Sequence, residues 1–156
     1  VTRPTALVLP AGARAVLLDH MRAAWPREGC GLLVGSDDTQ SGALVVEAVH
    51  PTTNVDASGR PDRFEVDPAA RFDLMRQLRG RPSRLIGHVH SHPGHPAEPS
   101  ETDRRAAFEP DLVWVIVGLA DRTTPDPPVT AWTVVPGPEP GAPAAGFRPL
   151  PIISRS

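Results

Sequence analysis

Hydrophobic and polar positions follow two different periods along this chain, which points to a mixture of helices and strands. Over 13–25, Val16, Leu17, Met21 and Ala24 fall near helical spacing, with Arg14, Asp19 and Arg22 on the other side. Pro26 stops that helix, because its ring opposes a further turn. Residues 30–35 form a short apolar run bounded by glycine and read as a buried strand. Turn chemistry over 36–42 leads to a second apolar strand over 43–50, so the two predict a hairpin.

Residues 51–62 are polar and read as a loop, and 63–66 as a short strand at most. Asp67 can cap a helix with Pro68 at its first position, running through Phe72, Met75 and Leu78 to Gly80. A strand follows over 84–90, then a loop over 91–99 rich in proline. Ser100 is a hydroxyl N-cap for the next helix, with acidic residues in its first turn. The most hydrophobic stretch, 112–119, predicts a central strand, and 129–135 another. Without a regular strand–helix alternation, the fold class is α+β: a mixed sheet, with hairpin-linked strands, flanked by two to three helices.

Composition narrows the function. The chain has 156 residues, 40% of them hydrophobic, which suits one domain with one core. A net charge of -2 gives no reason to expect nucleic acid or an anionic membrane, and 4% aromatic content without Tyr argues against base stacking. The single cysteine, Cys30, excludes an internal disulfide framework and suits a reducing, cytoplasmic setting. Residues 1–10 lack a signal-peptide pattern, and no apolar run approaches the ~20 residues a membrane span requires. Prolines crowd the last fifth of the chain. The expectation there is a domain over 1–136 followed by a Pro/Gly-rich tail over 137–156 with little regular structure.

The chemistry lies in one short segment: His90-Ser91-His92, seven residues, Ser100, two residues, Asp103. Alternation along a strand projects His90 and His92 the same way, so both imidazoles can share one ion. Asp103, in the first turn of the next helix, supplies a third ligand. Three protein ligands leave a position for water, the arrangement of a catalytic zinc centre. Such a centre needs a general base, and Glu28 is the best candidate, although spacing alone does not bring it near His90.

Glu28-Gly-Cys-Gly-Leu-Leu-Val-Gly35, Gly87-His-Val-His-Ser-His-Pro93 and the Ser100/Asp103 pair resemble the JAMM (MPN+) metallopeptidases, in particular the small stand-alone prokaryotic ones. Asn54, Phe64 and Asp67-Pro68 look like that branch too. The resemblance spans roughly 13–135. It implies a mostly antiparallel, curved sheet of the cytidine-deaminase-like kind, with one zinc ion on His90, His92 and Asp103. It implies that Glu28 shuttles the proton of a catalytic water and that Ser100 hydrogen-bonds the oxyanion. The implied reaction is hydrolysis of a peptide or isopeptide bond at the C-terminal glycine tail of a ubiquitin-like or sulfur-carrier-like protein. A tail of that kind could add itself beside a strand edge near the site. A homodimer is compatible with the sequence.

This chain departs from the pattern at His88, where a bulkier aromatic is common in the family, and carries an additional His95. It lacks the long insertions of the ubiquitin-chain enzymes. Competing readings remain. A His88/His90 metal pair would break the spacing to Ser100 and Asp103. His95 is either a solvated loop residue or a substrate contact. The N-cap and oxyanion roles compete for the Ser100 hydroxyl. Cys30 as a nucleophile would make a thiol hydrolase, although a thiol in an apolar strand is usually a small buried hydrophobe. A non-catalytic scaffold module of the same fold would be marked by lost ligands, and none is lost here.

Overall fold

A computed structural model describes residues 3–156. The elements run β1 (Leu7–Pro10), α1 (Ala11–Ala24), β2 (Cys30–Asp37), β3 (Leu44–Thr52), α2 (Pro68–Leu78), β4 (Arg84–Pro93), α3 (Glu101–Ala106), β5 (Val113–Leu119), β6 (Val129–Val135), β7 (Gly146–Leu150) and β8 (Ile152–Arg155). All the strands join one sheet in the order β7-β6-β5-β4-β2-β3-β1-β8. Pairing is antiparallel for β2 with β3 and β4, and for β6 with β5 and β7. It is parallel for β4 with β5, and for β1 with β3 and β8.

β7 and β8 stand at opposite ends of that order, yet only Pro151 separates them in the chain. The sheet must therefore curl until its two ends meet, which makes it a nearly closed, mixed α+β structure of the predicted class. The proline-rich stretch from 137 onward is thus not the irregular tail expected from the sequence. It carries two strands, and Pro149 is tolerated because β7 has a ladder partner, β6, on one side only. The sequence reading also missed β1, whose four residues are too few to show a period.

α1 covers one face of the sheet. Leu17, Leu18 and Met21 pack there on Leu33, Val46, Val89 and Val115. α2 starts as predicted, with the Asp67 side chain accepting from the Ala69 N–H and Pro68 at the first position. It turns Leu74 onto Leu32 and Val34 and leaves Phe72 and Met75 exposed, so the face it buries is offset from the one expected. Residues 63–66 form no named strand, only an isolated bridge between Asn54 and Val66. Among the described residues, no helix is long and apolar enough to cross a membrane.

β4 lies between β2 and β5 and sets up the site. Cys30 pairs with His90 and Leu32 with His88 on one side, and His90 pairs with Ile116 on the other. β4 runs three residues further than expected, to Pro93, because β5 continues alongside it to Leu119. His92 is consequently a strand residue and not the start of a loop.

Candidate metal centre

The antiparallel register of β2 and β4 brings Glu28 to the histidines. Cys30 faces His90, so Glu28, two residues earlier, comes opposite His92 on the same face. Ligand atoms of Glu28, His90, His92 and Asp103 all lie within 4.8 Å of one another, and all four residues are buried. Asp103 enters from the first turn of α3. His88, the rival for the pair with His90, is outside this group. It packs edge-on against Trp114 with ring centroids 4.3 Å apart, and burial pushes its imidazole down to about 3.

The spacing within the group suits a metal. His90 Nε2 is 3.1 Å from His92 Nε2 and 3.2 Å from Asp103 Oδ1, and His92 Nε2 is 3.1 Å from Asp103 Oδ2. Ligand atoms ~2.0 Å from a tetrahedral ion lie roughly 3.3 Å apart, close to those separations. His92 Nδ1 is 2.9 Å from the Pro96 carbonyl, which requires the proton on Nδ1 and leaves the Nε2 lone pair pointing into the group. Phe64 stacks on the His90 ring, 4.3 Å between centroids and 17° between planes, and fixes its tilt.

Electrostatics separate the two carboxylates. Burial alone would raise Asp103, but the His90 and His92 imidazoles and the Ser100 N–H outweigh it and hold the carboxyl well below its usual range. Glu28 is pushed up to about 8, chiefly by burial, with His92 opposing and Asp103 adding to the rise. Its Oε1 is buried without a hydrogen-bond partner. The two carboxyls of the group are thus pushed in opposite directions by their surroundings.

Ser100 is an exposed residue at the mouth of a cleft of about 340 Å³, shared with Glu28, Pro61, Asp62, His92, His95 and Pro99 among others. It caps α3 as predicted: its Oγ accepts from the Asp103 N–H at 3.0 Å, and its own N–H donates to Asp103 Oδ2 at 2.9 Å. The cap uses a lone pair of the hydroxyl and leaves the O–H proton available, so the two roles set in competition by the sequence are compatible. His95 is exposed at the same cleft. Cys30 is fully buried against Thr52, and burial raises its thiol, an environment that disfavours the thiolate. β4 is paired on both sides as far as His90, and from Ser91 to Pro93 its ladder partner is β5 alone.

Sequence reasoning did not single out Ser91, or the use made of Asn54. In the sequence Asn54 enters only through the resemblance, and Ser91 looks like a spacer between two histidines. Both contact the backbone next to Glu28, and no sequence pattern announces such contacts.

Known proteins resemble this chain in sequence and in fold. Residues 10–135 match the family model for prokaryotic homologs of the JAB domain. The chain is 35% identical over 122 residues to the desampylase of Haloferax volcanii, covering 76% of this chain and 84% of that one. It is 30% identical over 115 residues to the CysO-cysteine peptidase of Mycobacterium tuberculosis, covering 74% and 75%. A solution structure of a Desulfitobacterium hafniense protein superposes with a TM-score of 0.79 at 31% identity, covering 96% of this chain and 93% of that one. A buried Glu-His-His-Asp group at the end of two paired strands, in a chain with these relatives, marks it as a member of the JAMM/MPN family of peptidases and isopeptidases, in its prokaryotic JAB branch.

Proposed function

We propose that this chain hydrolyses the peptide or isopeptide bond after the C-terminal glycine of a ubiquitin-like or sulfur-carrier-like protein, with one zinc ion held by His90, His92 and Asp103. The observation that carries this reading is the convergence of two buried imidazoles and a carboxylate at tetrahedral spacing, with Glu28 beside them. The names of the two curated relatives, a desampylase and a CysO-cysteine peptidase, support the class of substrate.

When bound, zinc supplies Lewis acidity, bringing the pKa of water to about 7 and polarising a carbonyl. The chain's own residues do the rest. Glu28 takes a proton from the water that attacks the carbonyl carbon. As the C–N bond breaks, it passes that proton to the leaving nitrogen, so the amine departs neutral. The Ser100 hydroxyl donates to the carbonyl oxygen as charge develops there, a contribution of several kcal/mol in comparable sites, on the order of 3. Pro61, Pro93, Pro96 and Pro99 wall the cleft with rigid backbone, a channel suited to an extended glycine tail. The buried free thiol of Cys30 is consistent with action in the cytoplasm.

Intact mass spectrometry tests this directly. Zinc-loaded protein is incubated with candidate ubiquitin-like proteins carrying either a C-terminal peptide extension or a lysine-linked peptide. Release of the modifier ending at its glycine is expected for at least one. A protein containing one zinc per chain that cleaves none of them would remove the proposal.

A further inference from the structure

At its carboxylate end Glu28 is only loosely held: Oε1 has no hydrogen-bond partner and lies 3.8 Å from His90 Nε2. The residue also precedes β2, outside the ladder that would hold its backbone. Its direction is therefore set by the peptide plane that follows it, a rigid unit carrying the Glu28 carbonyl at one end and the Gly29 N–H at the other. Both ends are held by side chains. Asn54 Nδ2 donates to the Glu28 carbonyl at 2.9 Å, and the Gly29 N–H donates to Ser91 Oγ at 2.9 Å.

We propose that Asn54 and Ser91 form a two-point clamp on this plane and are positioning residues for the reaction, an inference that rests on Glu28 being the proton carrier. Each clamp arm is anchored in the site. Ser91 is fully buried between His90 and His92, and its own N–H donates to the Gly29 carbonyl at 3.1 Å. The arm thus ties the base to the strand that carries both imidazoles. Asn54 has its whole amide committed. Nδ2 also donates to the Arg63 carbonyl at 2.9 Å, while Oδ1 accepts from the Asp56 N–H at 3.0 Å and the Glu65 N–H at 3.1 Å. Two carbonyls on one side and two N–H groups on the other fix which way the amide points. That arm ties the base to the loop whose Phe64 stacks on His90. α1 backs the plane from behind: a Cβ on Gly29 would come 2.9 Å from Met21 Sδ and 3.0 Å from Ala24 Cβ.

The test uses the zinc-loaded chain with Asn54→Asp, Asn54→Ala, Ser91→Ala and the Asn54→Ala/Ser91→Ala double variant. Asn54→Asp keeps the shape but turns a donor into a carboxylate facing two carbonyls; Asn54→Ala removes the donors without adding charge. Each single variant is expected to lower kcat about tenfold or more, with KM within about twofold and zinc at one per chain. The double variant should lose less than the product of the singles, because both act on one plane. Losses that simply multiply would overturn the clamp. So would a kcat within twofold of wild type, or a loss that only tracks zinc content or folded fraction. The two readings fail separately. Wild-type turnover in Glu28→Gln removes the base itself, whereas an inactive Glu28→Gln beside fully active clamp variants removes only the clamp.

Discussion

Replacing Glu28 by Gln should make the metal-free protein more stable and the zinc-loaded protein inactive. Glu28 is 3% exposed, and its carboxyl moves from an ordinary 4.5 up to about 8 on folding. The folded state therefore binds the extra proton between those values, so stability present below pH 4.5 is lost as the pH rises toward about 8. At pH 7 the loss is about 3 kcal/mol, taking about 1.4 kcal/mol per unit over the distance from the unfolded value. Gln abolishes this titration but brings an amide of its own into the site, at a cost of about 1–2 kcal/mol for imperfect pairing. The net gain at pH 7 is then about 1–2 kcal/mol, and the pH dependence of stability over this window should flatten. Urea denaturation of chelator-treated wild type and variant at several pH values reads both quantities. Turnover of the zinc-loaded variant should fall by 10² to 10⁴, the usual share of a general base. Parallel pH dependences in the two proteins would refute the electrostatic argument, and near-wild-type hydrolysis would refute the assigned role.

Other outcomes follow from the same geometry. Chelation should abolish hydrolysis and zinc restore it, whereas alkylating agents should leave activity unchanged because Cys30 is buried; alkylation-sensitive, chelator-insensitive activity would point instead to thiol chemistry. Ser100→Ala should lower kcat by 10² to 10³ through the lost donor, and thermal melts should show a separate loss of about 1 kcal/mol for the cap. Ser100→Thr, which keeps a capping hydroxyl, should restore most of the stability, and an unchanged kcat in Ser100→Ala would remove the oxyanion role. Deleting residues 146–156 should leave β6 and β1 each with an unpaired side, giving self-association on size-exclusion chromatography. A monomeric truncated protein of unchanged stability would show that the closing strands contribute nothing.

The sequence reveals most where the determinants are local. His90, His92, Ser100 and Asp103 lie on one strand–loop–helix segment, so spacing alone brings them together, and the Asp67-Pro68 start of α2 follows from capping chemistry. Glu28 is a different case. Its approach depends on Cys30 facing His90 across two strands, a register set by which faces α1 and α2 cover. The pattern of prolines after 136 misled because proline forbids only the interior of a sheet. β7 has a single ladder partner, and Pro149 is acceptable there. Ser91 and Asn54 act through backbone atoms of another segment. A serine between two histidines and an asparagine in a polar loop look like spacers until the peptide plane they hold is seen.

The meeting of β8 with β1 also bears on how the chain is made. Leu7 pairs with Ile152 and Pro10 with Arg155, contacts between stretches almost the whole chain apart. During synthesis, β1 can find β3 early, but its other side waits until residues 152–155 have been added. Until then the half-built sheet carries an open flank along β1. The final zipping step is the one with the largest loop to close, and it should set the slow phase of refolding.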